Sequence, residues 1–155
     1  MAVKNYTTGI PSEKTIMEIE QILVRFGAKG ILKEYIGSQT SCIMFYLERE
    51  GQKIPFKLPM SIEKARNVIV KAVKEKKLPY RFSQEPLRSE QAQRVGWRLI
   101  KDWIHLQLSL LEVEFAEPLE LLLPYAYNPV ENKTIYEKII ENKEKFLAIE
   151  DKENG

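Results

Sequence analysis

The sequence has little of the chemistry on which most catalytic and metal sites depend. Its 155 residues include one cysteine, Cys42, one histidine, His105, and two aspartates. A single cysteine excludes an intrachain disulfide, and a single histidine leaves too few ligands for the usual Cys/His zinc spacings. A divalent metal would therefore need glutamate ligands, and we expect neither a metal nor any other cofactor.

Long apolar runs and nucleotide-binding motifs are also missing. No apolar run approaches the roughly 18 residues of a membrane span, and the opening "MAVKNYTTGIP" lacks the apolar core of a signal peptide. The seven glycines form neither a Walker loop nor a dinucleotide fingerprint. We therefore expect a single cytoplasmic domain over residues 1–155 that makes no membrane contact.

The net charge of +2 conceals an uneven distribution of charge along the chain. Residues 1–52 are neutral overall, residues 53–101 carry 13 Lys+Arg against 4 Asp+Glu, and residues 102–155 carry 5 against 12. A basic middle of this kind is typical of a polyanion-binding segment, whereas the acidic end could also pair with it within the chain.

Hydrophobic periodicity predicts an α+β fold: a helix, a three-stranded antiparallel sheet, a helix, then a long central helix and shorter C-terminal helices. The first helix opens at Ser12 and stops near Gly27, Ser61 caps the second, and Thr134 opens the last with a capping box. The strands are "GILKEYI", "SCIMFYLERE" and "KIPFKLPM", and Pro55 places the third at an edge. The αβββα part takes residues 12–77, the helical part 89–147, and a frayed tail 148–155.

The stretch "VGWRLIKDWIHLQLSLLEVEF", residues 95–115, is too apolar for a helix that lies on a protein surface. Its apolar residues cover roughly 220° of the helix circumference, against about 100° for a surface helix. We expect the side that holds Trp103 to pack on the sheet or the first helix. The side that holds Trp97 is expected under the C-terminal helices or, alternatively, at a homodimer interface, so the chain is a monomer or a homodimer.

The basic middle is the best functional signal. Arg94, Arg98, Lys101 and His105 fall on one ridge of the central helix, while lysines and aromatic residues alternate around the end of the second helix. Clustered cations bind phosphates through counterion release, and aromatic rings stack exposed bases. The candidate nucleic-acid-binding residues are Lys71, Lys74, Lys77, Tyr80, Arg81, Phe82, Arg94, Arg98 and Lys101. The alternative is a solubilising face that pairs with the acidic C-terminal helix.

Enzymatic chemistry is not expected. Cys42 alternates within a strand and fits a small buried hydrophobic residue better than a nucleophile beside His105. The one exception is a metal-dependent nuclease site built from Glu34, Glu48 and Glu50.

The order helix, three strands, helix over residues 12–77 resembles the double-stranded-RNA-binding domain. That family carries phosphate-binding lysines at the start of its second helix, to which Lys64 and Arg66 correspond in this chain. Its long loop between the first two strands, which enters a minor groove, would correspond to "IGSQTS".

The combination of "EKTIMEIEQILVRFGA", "VGWRLIKDW" and "LLPYA" resembles a group of small, uncharacterised bacteriophage and prophage proteins. This resemblance implies a viral or mobile-element context and no catalytic residues. Our leading hypothesis is a non-enzymatic protein that binds DNA or RNA. The alternative is a small protein-interaction module that inhibits or modulates a host factor.

Overall fold

The structure is a computed structural model that describes residues 3–147, except for the side chain of Phe146. It confirms the predicted α+β class. The predicted frayed tail, residues 148–155, lies outside the described residues. The helices are α1 (Ser12–Arg25), α2 (Ile62–Lys74), α3 (Leu87–Glu112), α4 (Pro118–Leu122), α5 (Ile135–Glu141) and α6 (Lys143–Phe146). The strands are β1 (Gly30–Ile36), β2 (Gln39–Arg49), β3 (Gln52–Lys57), β4 (Tyr127–Asn128) and β5 (Lys133–Thr134).

The first three strands form an antiparallel meander in the order β1-β2-β3. Side chains alternate across it, so that Phe45 and Phe56, opposite each other, stack at 5.4 Å between ring centroids on the inner face. Pro55 lies on β3 at the edge of this sheet, as predicted, and beyond β3 a single bridge joins Phe56 to Ala126. Within the described residues, the other edge of β1 is unpaired.

The helix α3 is the centre of the molecule, which confirms its predicted position. One side of α3 joins α1 and the inner face of the sheet in the main hydrophobic cluster, which includes Ile19, Ile43 and Ile104. Another side packs on α2 in a second cluster around Ile69 and Val95. Both clusters therefore depend on the same 26-residue helix.

The predicted assignment of the two tryptophans was wrong. Trp97 is 0% exposed and belongs to the main cluster, where its Nε1 donates a hydrogen bond to Gln93 Oε1 at 3.0 Å. Trp103 is only partly buried and meets the ring of Tyr125 edge-on at 4.9 Å. Since a single chain buries Trp97 completely, a homodimer interface formed by Trp97 is also wrong.

The C-terminal part is less helical than predicted. The predicted start at Thr134 is confirmed, since Thr134 and Glu137 form the capping box of α5. The helix α4 begins at Pro118. The short β4–β5 ribbon, however, interrupts residues 89–147, and the last helix breaks at Asn142 into α5 and α6. None of the helices in residues 3–147 combines the length and the hydrophobicity that a membrane crossing requires.

Candidate nucleic-acid interface

The predicted basic ridge of α3 is a polar contact with α1. Arg98 Nη1 and Lys101 Nζ both reach Glu18 Oε2, at 2.9 and 2.5 Å, and all three side chains are about four-fifths covered. The hydrogen bond from Lys101 lowers the pKa of Glu18, against the opposing effect of burial. Two of the four cationic positions of the ridge therefore bind an internal carboxylate.

The N-terminal segment covers the same side of α3. The Gln91 amide donates hydrogen bonds to the carbonyl oxygens of Tyr6 and Thr8, both at 3.0 Å, and Arg94 donates to Gln91 Oε1 at 3.2 Å. One turn beyond Arg98, Asp102 accepts a hydrogen bond from Asn5 at 3.0 Å and pairs with Lys4 at 2.8 Å. The ridge is thus not the open cationic face that we predicted, although His105 at its end is exposed. The ridge residues make these polar contacts because α1 and the N-terminal residues 4–8 pack against that side of α3.

A second carboxylate, Glu85, binds two further cations of the basic middle. Its Oε1 accepts from Arg66 of α2 at 2.8 Å and from Arg88 of α3 at 3.0 Å. Hydrogen bonding from the Ser89 hydroxyl, followed by Arg88, the Ser89 amide and Arg66, outweighs desolvation and lowers the pKa of Glu85 to about 2. Glu85 therefore ties the middle of α2 to the first turn of α3.

The end of α2 is different, because its cations remain at the surface. Lys71, Lys74, Lys76, Lys77 and Arg81 are all exposed. Lys77 pairs with Glu75 at 2.9 Å, and Lys71 lies at 4.0 Å from the same residue. Within residues 3–147, Lys74, Lys76 and Arg81 take part in no ion pair.

Backbone hydrogen bonds fix the position of these lysines. The amides of Lys76 and Lys77 donate to the carbonyl oxygens of Val73 and Ala72, at 3.0 and 2.8 Å, and Lys76 has a φ of 58°. This pair of bonds is the Schellman arrangement, in which the residue after the cap turns left-handed and closes the helix. The chain leaves α2 at a defined angle and carries Lys76 and Lys77 outward.

The following loop presents one aromatic ring and hides another. Leu78 is buried in the second cluster, while Tyr80, in a short 3-10 helix (Tyr80–Ser83), is 74% exposed. Phe82 packs against the second cluster, and the Arg81 guanidinium lies 5.0 Å from the centroid of its ring. An open cleft runs beside this loop. It is lined by Val73, Lys74, Lys76, Lys77, Leu78, Pro79 and Tyr80.

The acidic C-terminal part does not cover this cluster in the described residues. Lys133 pairs with Glu141 at 2.6 Å, and Lys138 pairs with Glu131 at 2.7 Å, so its charges are partly satisfied locally. The ion pairs of the basic middle that lie in residues 3–147 use Glu18, Glu75 and Glu85 instead. Within residues 3–147, no ion pair therefore supports the alternative in which the acidic end neutralises the basic middle.

Two glutamates of the possible nuclease site lie far apart on the sheet. Glu34 lies opposite Cys42, and Glu48 lies opposite Lys53, which places the two carboxylates about 20 Å apart along β2 at about 3.3 Å per residue. No group of three histidine, cysteine or acidic side chains within residues 3–147 could hold a metal ion. Cys42 is buried, as predicted, and burial raises the pKa of its thiol.

The outer face of the sheet carries an apolar groove that the sequence pattern did not predict. Strand alternation predicts which residues face outward, but it does not predict that β4 brings Tyr127 and Pro129 beside them. Leu32 is 56% exposed at this groove. The lining residues are Gly30, Ile31, Leu32, Met44, Phe45, Tyr46, Pro55, Tyr127 and Pro129.

Comparisons with protein-family models, with curated proteins and with solved structures found no match for this chain.

The predicted element order α1-β1-β2-β3-α2 is present. Its first two strands are joined by two residues, Gly37 and Ser38, which leaves no long loop of the kind that the double-stranded-RNA-binding domain inserts into a groove.

Proposed function

We propose that this chain is a non-enzymatic nucleic-acid-binding protein of a bacteriophage or mobile element. One observation supports the proposal above the others. The exposed cations Lys74, Lys76 and Arg81 make no internal ion pair in residues 3–147. The two lysines line a cleft with the exposed Tyr80, and Arg81 follows Tyr80 in the sequence. A phosphate backbone provides the opposite charge, and the release of its counterions drives binding.

The proposed site is smaller than the site predicted from the sequence. It comprises Lys71, Lys74, Lys76, Lys77, Tyr80 and Arg81. Arg94, Arg98 and Lys101 are left out because their cationic groups already bond to Gln91 and Glu18. Phe82 is left out as a contact residue because it packs against the second cluster. Its role is to hold Arg81 in place.

Fluorescence anisotropy with labelled oligonucleotides at several salt concentrations tests this proposal. The triple variant Lys74→Gln, Lys76→Gln, Arg81→Gln should lower the salt slope of log K by about 2 to 3, since each lost phosphate contact removes about 0.7 to 0.9. Its matched control loses the same charge at three exposed basic residues elsewhere. These are Lys14, Lys29 and Arg49, each replaced by Gln.

The control variant should retain the slope of the unmodified protein. Equal effects of the two triple variants would indicate attraction to net charge alone and would contradict the proposed site. Absence of binding to every DNA and RNA probe at low salt would contradict the function itself.

One observation favours a second candidate function, that of a protein-interaction module. The groove on the outer sheet face is almost wholly apolar, and concentrated apolar surface of this kind is typical of binding sites. In this case Leu32→Asp should abolish the capture of a host protein. Leu106→Asp, at an α3 residue that is 60% exposed, is the matched control and should not. If the capture survives Leu32→Asp but is lost in the triple variant Lys74→Gln, Lys76→Gln, Arg81→Gln, the interaction belongs to the exposed cations at the end of α2.

A further inference from the structure

We propose that the cleft at the end of α2 binds single-stranded nucleic acid by accepting one unpaired base against Tyr80, with the neighbouring phosphates at the α2 lysines. This inference rests on the proposed function and narrows it to one class of nucleic acid. Four features of the cleft support it: its mixed lining, the exposure of one ring, the rigidity of the loop and the position of Arg81.

The lining combines an apolar floor with a cationic rim. Val73, Leu78 and Pro79 supply the apolar surface, whereas Lys74, Lys76 and Lys77 supply the charge. Duplex binding through phosphates needs the cations but leaves the apolar surface in water, because paired bases are stacked inside the helix. A single strand can place a base on the apolar floor while its phosphates meet the rim, so it uses both parts.

Tyr80 has the exposure that a stacking platform requires. Tyr80 is 74% exposed, whereas Tyr35 and Tyr136 are each 57% exposed. Every base has a π-face, so stacking on one tyrosine tolerates any sequence. The site is therefore expected to bind single strands of DNA and RNA with little base preference.

The loop that carries Tyr80 is held in place before any ligand binds. The Leu78 amide donates to the Ala72 carbonyl oxygen at 3.2 Å, and the Phe82 amide donates to the Pro79 carbonyl oxygen at 3.1 Å. The Ser83 hydroxyl donates to the Tyr80 carbonyl oxygen at 2.6 Å. A preformed loop lowers the entropy that is lost on binding.

Arg81 is positioned by the hidden ring of the same loop. The Arg81 guanidinium lies 5.0 Å from the centroid of the Phe82 ring, which holds the charge one residue after Tyr80, and it has no acidic partner in residues 3–147. Arg81 can thus meet a phosphate that flanks a base stacked on Tyr80. The sequence order Tyr-Arg-Phe places a platform, a cation and its support in three consecutive positions.

The test compares labelled oligothymidine and oligouridine of about 15 nucleotides with a duplex of equal length, at low and moderate salt. Single strands should bind at least about tenfold more tightly than the duplex. Tyr80→Ala should weaken single-strand binding roughly 5- to 150-fold with an unchanged salt slope, because stacking releases no ions. Tyr80→Phe keeps the ring and should restore most of the affinity.

Tyr35→Ala is the matched control, since Tyr35 lies on β1 and is 57% exposed. It should bind as the unmodified protein does. Inorganic polyphosphate, which has no bases, should compete only weakly with oligothymidine.

Equal affinity for single strands and duplex, or equal effects of Tyr80→Ala and Tyr35→Ala, would overturn the single-strand assignment. The proposed function would nevertheless stand if the triple variant Lys74→Gln, Lys76→Gln, Arg81→Gln still lowered the salt slope of binding. A lack of binding to all three probes would remove both.

Discussion

Trp97 and Trp103 lie six positions apart on α3 and differ sharply in their surroundings. Trp97→Ala should lower the free energy of unfolding by about 3–5 kcal/mol, because it empties a large volume in the main cluster and leaves the Gln93 amide without its partner. Trp103→Ala should cost about 1–2 kcal/mol, because part of that ring is already in water. Chemical denaturation of both variants measures the difference, and the reverse ranking would contradict the described packing of α3.

Glu85 predicts a specific dependence of stability on pH. Its pKa is about 2 in the folded chain against an ordinary value of 4.5, so the folded state favours the ionised form. The stability that it contributes is fully present above pH 4.5 and is lost as the pH falls from there through about 2.

Denaturation curves of the unmodified protein and of Glu85→Gln at pH values on both sides of 4.5 test this prediction. The variant should be less stable above that pH, and the gap should close below it. A gap that stays constant with pH would mean that the carboxylate charge is not the source. The titration of the Glu85 carboxyl carbon by NMR gives the pKa directly.

Three helices end with the same pair of backbone bonds but with different residues at the left-handed position. Gly27 follows α1, Lys76 follows α2, and Glu114 follows α3, with φ values of 103°, 58° and 59°. A glycine takes this conformation without steric cost, whereas lysine and glutamate do not. Gly27 could be predicted as a helix end from the sequence for this reason, and the other two could not.

Lys76→Gly and Glu114→Gly should therefore each raise the free energy of unfolding by about 0.5–1 kcal/mol. Thermal and chemical denaturation measure the change. Lys76→Gly should at the same time weaken nucleic-acid binding, whereas Glu114→Gly should not, which separates the backbone effect from the charge. Destabilisation by both glycines would contradict the left-handed assignment.

Elements with a strong local signal were predicted correctly from the sequence. Ser61 caps α2 by accepting a hydrogen bond from the Lys64 amide at 3.3 Å, and the alternation around Pro55 gave an edge strand. The β4–β5 ribbon was missed because strands of two residues show no periodicity. The break at Asn142 was missed because the apolar spacing of the last helix continues across it.

The candidate site was only partly predictable from the sequence, because local spacing does not show which distant residues pack against a helix face. Helical spacing correctly places Arg94, Arg98 and Lys101 on one ridge, but it does not reveal that Glu18 of a helix 80 residues away in sequence lies against that ridge. At the end of α2, Val3 and Tyr6 lie near Lys71 and Lys77, but within residues 3–147 Lys74, Lys76 and Arg81 stay exposed and make no ion pair. There the local sequence was sufficient to find exposed lysines beside Tyr80.

At the scale of the whole molecule, α3 links the two hydrophobic clusters. Residues from α1, the sheet and α2 all pack on it, so loss of one cluster removes the support of the other. We expect a single cooperative unfolding transition, in which Trp97 fluorescence and the hydrogen exchange of α2 amides report the same midpoint.

Ile69→Ala provides the check on this prediction, because Ile69 belongs to the second cluster and is 0% exposed. It should shift both probes by the same amount. Separate midpoints, with only the α2 probe shifted, would show that α2 and its lysines unfold independently of the main cluster.

The edge of β1 that is unpaired within residues 3–147 affects how the protein behaves at high concentration. An unpaired strand edge with exposed apolar side chains, such as Tyr35 and Ile36, is a template onto which another chain can add and start aggregation. Lys33 occupies an inward position on this strand and pairs with Glu20 of α1 at 2.6 Å. A second strand laid along this edge would have to accommodate that ion pair. One inward charge therefore acts as a gatekeeper that favours colloidal stability in a crowded cell.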